Sequence, residues 1–119
     1  MIIGIGCDLI DIRRVQILIN KYNGKFINKI FTMKEISVGK LSNSTRYFAK
    51  RFAVKEAYAK ASGYAIGSKI KFQDIEILND PNGKPFFNKH PLSKDGVRAL
   101  VSISDEISYA ISYVILEKF

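Results

Sequence analysis

The segment from Phe48 to Ala61 reads as a helix whose charges sit where a surface helix would not put them. At about 100° per residue, its apolar residues Phe48, Ala49, Phe52, Ala53, Val54, Ala57, Tyr58 and Ala61 fall on nearly every side. A helix that is apolar all round is expected to be buried. Glu56 and Lys60 nevertheless project between Ala49, Phe52 and Ala53, while Arg51 and Lys55 form a second charged stripe. Charges in an apolar sector cost free energy unless they are paired, hydrogen-bonded or bound to an ion or ligand. A metal or a phosphate meeting this helix at Glu56 and Lys60 satisfies that requirement. Arg51 and Lys55 are expected to be solvated, the usual state of such residues.

The rest of the chain must supply the packing partners. With 119 residues, 47% of them hydrophobic, it is long enough for one domain spanning 1–119 with a real core, and disorder is not expected. No apolar run approaches a membrane span. No basic region followed by a long apolar run opens the sequence, so no signal peptide is expected. One cysteine, Cys7, permits no internal disulfide and suits a reducing, cytoplasmic setting. A net charge of +8 calls for an anionic partner: nucleic acid, an acidic protein, a phosphorylated cofactor or an anionic membrane.

Periodicity divides the chain into helices first and strands mostly afterwards. Met1 to Ile5 is a β-branched run and reads as a strand, with Gly4 and Gly6 allowing close packing. A helix is expected from about Leu9 to Tyr22 on the spacing of Ile12, Val15, Ile19 and Tyr22, with Arg13, Arg14, Lys21 and Lys25 crowding its other side and its end. A short helix is expected within Phe31 to Leu41. Leu41-Ser42-Asn43-Ser44 reads as a loop, with Ser44 or Thr45 capping the long helix and Gly63 ending it. Ile70 to Leu78 and Lys84 to Asn88 form strands around the turn Asp80-Pro81-Asn82-Gly83. Pro91 to Arg98 is irregular or briefly helical. Ala99 to Ser104 and Ser108 to Leu116 form two more strands around Asp105-Glu106. This order predicts an α+β fold, an antiparallel sheet with a long central helix.

Two readings compete at most polar positions. Asp8 stands where strand gives way to helix, so it either caps the helix or ligates a hard cation, and can do both. An i,i+4 pair of Glu56 with Lys60 contributes only about 0.2–0.5 kcal/mol, too little to offset burial among Ala49, Phe52 and Ala53. Two carboxylates with phosphate oxygens make a typical Mg²⁺ site. Lys60 either neutralises Glu56 or binds a phosphate oxygen. Gly63 to Gly67 ends the helix or brings backbone amides to a phosphate. Cys7 is read as a packed small residue and His90 as an exposed one. One histidine and one cysteine do not make a zinc site or a Ser-His-Asp triad.

Taken together, the segments resemble the bacterial holo-[acyl-carrier-protein] synthases, the small 4′-phosphopantetheinyl transferases. Gly4-Ile5-Gly6-Cys7-Asp8-Leu9 is similar to their G-x-G-x-D-hydrophobic segment, and Arg51-Phe52-Ala53-Val54-Lys55-Glu56-Ala57 through Lys60-Ala61 to their R-F-A-x-K-E-A-x-x-K-A helix. Phe72 to Ile77, Asn82-Gly83-Lys84-Pro85, and Val101 to Ser104 followed by Tyr109-Ala110 resemble the later strand, turn and C-terminal hairpin. The resemblance spans nearly the whole chain.

It implies a cytoplasmic, Mg²⁺-dependent transferase that moves the 4′-phosphopantetheine arm of coenzyme A to a serine of apo-acyl carrier protein. Adenosine 3′,5′-bisphosphate is released, and the reaction serves fatty acid biosynthesis. Asp8 and Glu56 match the Mg²⁺ ligands, with Glu56 and Lys60 catalytic. Coenzyme A is then met by Arg51, Lys55, Lys60, Gly63, Gly83, Lys84 and Pro85. Arg13, Arg14, Lys21 and Lys25 match the surface that meets the acidic carrier protein. The family implies a homotrimer with coenzyme A at subunit interfaces.

Three positions depart from the pattern. Gly63-Tyr64-Ala65 replaces a common Gly-Thr-Gly. Leu100 stands where a histidine commonly begins a His-Val-Ser segment. Asp105 stands where the family has histidine or aspartate. The base is then a metal-bound hydroxide, a water or Asp105. The alternatives from other classes are a small basic nucleic-acid-binding domain, supported by net charge and by Tyr22, Tyr47 and Tyr64 if exposed, and a non-catalytic module of the same fold.

Overall fold

A computed structural model describes residues 1–42 and 44–119. The chain opens with strand β1 (Ile2–Asp11), followed by helices α1 (Ile12–Tyr22), α2 (Gly24–Ile30), α3 (Met33–Ser42) and α4 (Thr45–Ser62). A 3₁₀ turn at Phe72–Asp74 leads into the hairpin β2 (Glu76–Asn79) and β3 (Pro85–Lys89). A second 3₁₀ turn at Pro91–Asp95 precedes β4 (Val97–Asp105) and β5 (Tyr109–Lys118). Strands β1, β5 and β4 form one antiparallel sheet in that order, and β2 and β3 form a second, two-stranded one. The expected α+β architecture with an antiparallel sheet and a long central helix is what the chain adopts.

Helix α4 lies between two apolar clusters. Val54, Ala57, Tyr58 and Ala61 pack with Ile70, Ile75, Ile77, Val114 and Leu116. Ala49, Ala53 and Phe48 pack with Ile10, Val15, Ile30, Phe31 and Ala110 on the other side. Its ends follow local chemistry. The Ser44 hydroxyl accepts the Tyr47 amide (3.3 Å), and Gly63 closes the helix in the left-handed region at φ 78°, where glycine carries no Cβ penalty.

The first strand is longer than the sequence suggests. Pairing with β5 continues from Gly4 opposite Leu116 to Asp11 opposite Tyr109, so Asp8 and Leu9 are in the strand and α1 begins at Ile12. Asp11 is the cap: its carboxylate accepts the Arg13 amide (2.9 Å) and takes a two-pronged bond from the Arg13 guanidinium. The capping reading of Asp8 is therefore corrected, because sheet pairing outlasts the helical signal. Lys25 belongs to α2 rather than to the end of α1. Leu41 and Ser42 close α3 instead of lying in a loop, and Asn43 is outside the described residues. Ile70 to Leu78 is a strand only from Glu76, since the 3₁₀ turn interrupts it.

Candidate active site

The site is built where β1 crosses α4. Gly4 and Gly6 face the helix, and a Cβ at either would fall well inside contact distance of the carbonyl oxygen of Ala61 or Ala57 respectively. Strand and helix backbones therefore touch with no side chain between them. Two residues further along the same face, Asp8 emerges beside α4. Lys60 Nζ donates to Asp8 Oδ1 (3.0 Å) and to the Cys7 carbonyl (3.0 Å). Asp8 is largely covered and Lys60 largely exposed.

Glu56, one turn before Lys60, is half-buried. Burial pushes its carboxyl above the usual carboxylate range. The nearby Asp8 charge pushes it further, and Lys60 opposes both. The Asp8 and Glu56 carboxylates are thus near enough to repel. An open cleft of about 560 Å³ begins here, lined by Glu56, Ala59, Lys60, Gly63, Tyr64, Ala65, Ile66 and Phe72. Two neighbouring carboxylates, one ammonium and an open cleft suit a divalent cation or a phosphorylated ligand. Among the described residues, no cluster of three or more histidine, cysteine or carboxylate side chains is poised to hold a metal. A cation here would draw most of its shell from water and substrate oxygens, which suits Mg²⁺. The donor set fits that ion.

The second charged stripe behaves opposite to expectation. Lys55 is fully buried and Arg51 is 3% exposed, whereas Glu56 and Lys60 are the more accessible pair. Apolar clusters cover α4 on two sides, so the strip left open is the one carrying Glu56 and Lys60. Lys55 spends its ammonium on the Glu35 carboxylate and three backbone carbonyls. That leaves it no contact with the cleft, and its expected place among the coenzyme ligands is withdrawn. Arg51 bonds Asn79 and stacks 4.2 Å from the Tyr47 ring centroid. Asn79 in turn donates to the Gly83 carbonyl (2.7 Å), so Arg51 reaches the Asp80–Gly83 turn through one residue.

The remaining expected ligands and docking residues are scattered. Gly63 lines the cleft, but Gly83 and Lys84 of the β2–β3 turn and Pro85, the first residue of β3, do not. Arg13, Arg14, Lys21 and Lys25 are all exposed, and Arg13 is held by Asp11. Asp105 lies at the β4–β5 turn between Arg46 (3.0 Å) and Lys50 (3.9 Å), acting as a counter-ion outside the cleft. Leu100 projects from the sheet face opposite α4, also outside the cleft.

His90 is half-buried rather than exposed. Its Nδ1 lies 2.9 Å from the Tyr58 hydroxyl, and burial lowers its pKa. Tyr47 is not an exposed aromatic either. Sequence reasoning passed over Glu35 and Phe72. Thr32-Met33-Lys34-Glu35 carries a capping-box spacing, which the structure uses: Glu35 accepts the Thr32 amide (2.9 Å) and Thr32 the Glu35 amide (3.3 Å).

Residues 4–114 match the 4′-phosphopantetheinyl transferase superfamily. The chain belongs to that superfamily. This transferase is 46% identical to the holo-[acyl-carrier-protein] synthase of a Wolbachia strain from Drosophila simulans, covering 98% of each chain. Its fold superposes with a TM-score of 0.91 on the Neisseria meningitidis synthase, at 37% identity, covering 99% of this chain and 100% of that one. The Bacillus anthracis synthase, solved with CoA (3′,5′-ADP), superposes at 0.88 with 38% identity, covering 100% and 99%.

Proposed function

We propose that the chain is a holo-[acyl-carrier-protein] synthase: a Mg²⁺-dependent, cytoplasmic, single-domain enzyme of fatty acid biosynthesis. The observation that carries the reading is the cleft at the β1–α4 crossing, where Asp8, Glu56 and Lys60 gather, in a chain so similar to named synthases. Nothing comparable favours the nucleic-acid-binding alternative, since the basic residues lie on several elements rather than along one groove.

In the reaction, the serine oxygen of the carrier protein attacks the phosphorus that bears the pantetheine arm. A new P–O bond forms, and the pyrophosphate bond to adenosine 3′,5′-bisphosphate breaks. The serine proton passes to water. Asp8 and Glu56 would hold Mg²⁺, which when bound neutralises pyrophosphate charge. Lys60, which now bonds Asp8, would turn to a phosphate oxygen and add positive charge where the leaving group forms. Arg51, Gly63, Gly83, Lys84 and Pro85 are assigned to coenzyme A. The β2–β3 turn would serve a cleft other than its own chain's, as a homotrimer with shared sites requires. The exposed basic face of α1 and α2, with Arg13, Arg14, Lys21 and Lys25, is assigned to the acidic carrier protein, so that docking orients the serine.

The deciding experiment incubates an apo-carrier protein with this chain, coenzyme A and Mg²⁺ and weighs the product. A mass gain of one 4′-phosphopantetheine group, absent with chelator or in Asp8→Ala, is expected. An unmodified carrier would support the non-catalytic module instead.

A further inference from the structure

Beneath the cleft lies a charge that meets no solvent. Lys55 precedes Glu56, so the two side chains leave α4 about 100° apart, one into the cleft and the other into the interior. Lys55 Nζ lies within hydrogen-bond distance of Glu35 Oε1 (2.7 Å) and of the carbonyls of Ile75 (2.7 Å), Ile30 (3.0 Å) and Phe72 (3.0 Å). Both side chains are fully buried. Glu35 also accepts the Thr32 amide through Oε1 and the Ile77 amide (2.9 Å) through Oε2. One ion pair therefore ties four segments to α4: the end of α2, the start of α3, the Phe72 turn and the entry to β2.

A buried ion pair is weak evidence of added stability, because well-packed apolar replacements often serve as well. What this one supplies is direction. A three-residue 3₁₀ turn has poor hydrogen-bond geometry and holds its own shape weakly. Lys55 grips the carbonyls of Phe72 and Ile75, the first residue of that turn and the one just after it. The Phe72 ring then leans on Phe52 of α4, with centroids 5.6 Å apart. The same ring lines the cleft that holds Glu56, and also an adjoining groove of about 470 Å³ with Lys29, Ile66, Gly67 and Lys71.

We propose that Lys55 and Glu35 are positioning residues that set the Phe72 wall of the cleft, and thereby the affinity for coenzyme A, without touching it. The inference rests on the reading that this cleft takes coenzyme A. Neither residue contacts the reacting atoms. Their removal should act on coenzyme binding and leave the chemical step of the bound complex largely in place.

The test uses the full chain with Lys55→Met/Glu35→Leu, which keeps an apolar pair of similar volume and leaves no buried charge unpaired. The folded variant should show KM for coenzyme A raised about tenfold, and kcat at saturating coenzyme within about threefold of wild type. Its KM for carrier protein should be unchanged. Phe72→Ala should raise the coenzyme KM similarly, and adding the pair replacement to it should change little further, because both act through one ring. A purely structural role would lower the unfolding midpoint and leave the KM of the folded enzyme alone. The proposal is overturned by a coenzyme KM unchanged in the folded double variant, or by effects that add fully to those of Phe72→Ala. If the double variant does not fold, Phe72→Ala decides alone, and an unchanged KM there overturns the proposal. Calorimetry of wild type with coenzyme A separates the two layers. No binding by wild type removes the cleft reading itself, whereas binding with insensitive variants removes only the positioning role.

Discussion

Glu56 carries a cost in stability that its proposed role would explain. Its folded-state pKa is raised, first by burial and then by Asp8. The ionised form is thus disfavoured by folding. Whatever stability the neutral form contributes is present below the ordinary carboxylate pKa and lost as pH rises through the raised value. Glu56→Gln should therefore stabilise the chain at pH 7, with no gain at pH 4, while transfer falls at least about 10²-fold. Urea unfolding at the two pH values checks the sign, and a loss of stability at pH 7 would contradict it. Gly6 is the opposite case, a residue with no side chain whose absence matters. A Cβ there meets the Ala57 carbonyl, which belongs to the helix backbone and cannot swing aside. Gly6→Ala should cost about 1–3 kcal/mol, read as a lowered urea midpoint.

At the scale of elements, the exposed basic face of α1 offers the cleanest separation of docking from chemistry. Arg14 and Lys21 make no ion pair among the described residues and lie outside the cleft. Arg14→Glu or Lys21→Glu should raise KM for carrier protein about tenfold at low salt. The effect should shrink at 0.5 M salt, where screening is shorter-ranged than the roughly 8–10 Å of physiological buffers, with KM for coenzyme A unchanged. A shifted coenzyme KM would move these residues into the cleft. Most elements were legible beforehand, because Ser44, Gly63 and the Asp80–Gly83 turn punctuate the chain by chemistry that acts within a few residues. The orientation of α4 was not. With apolar residues on every side, the wheel cannot say which charged stripe faces out, and only the packing of β1 and α1–α3 around the helix decides it. The start of α1 was misplaced for a related reason, since pairing with β5, a hundred residues away in the chain, extends the strand past Asp8. Asp8, Glu56 and Lys60 could be named from sequence, but their convergence depends on that long-range register.

For the whole molecule, the outstanding feature is the sheet face turned away from α4. Ile5 is 66% exposed and Leu9 62%, and Ile3, Tyr109, Tyr113 and Leu100 are exposed beside them. Cross-strand register joins these into one surface, with Ile5 opposite Ile115 and Cys7 opposite Tyr113. A contiguous apolar surface of this kind marks an interface, and we assign it to the proposed trimer. Ile5→Asp should yield a folded monomer by light scattering, with transfer lost, as the proposed sharing of the β2–β3 turn between subunits requires. A variant that stays trimeric would place the interface elsewhere.

The bare contact between β1 and α4 also divides the cleft by rigidity. Amides around Gly6, Ala57 and Ala61 sit in a layer with no side-chain rotamers to rearrange, so they should open to exchange only when the whole domain unfolds. Across the cleft, Tyr64, Ala65 and Ile66 lie on irregular backbone with few ladder bonds to break. One wall is therefore a fixed mount for charge and the other a yielding edge. On the proposed reading, a ligand altered in its organic portion should be accommodated by local opening of that edge, whereas one altered at its phosphates should meet the wall that does not rearrange.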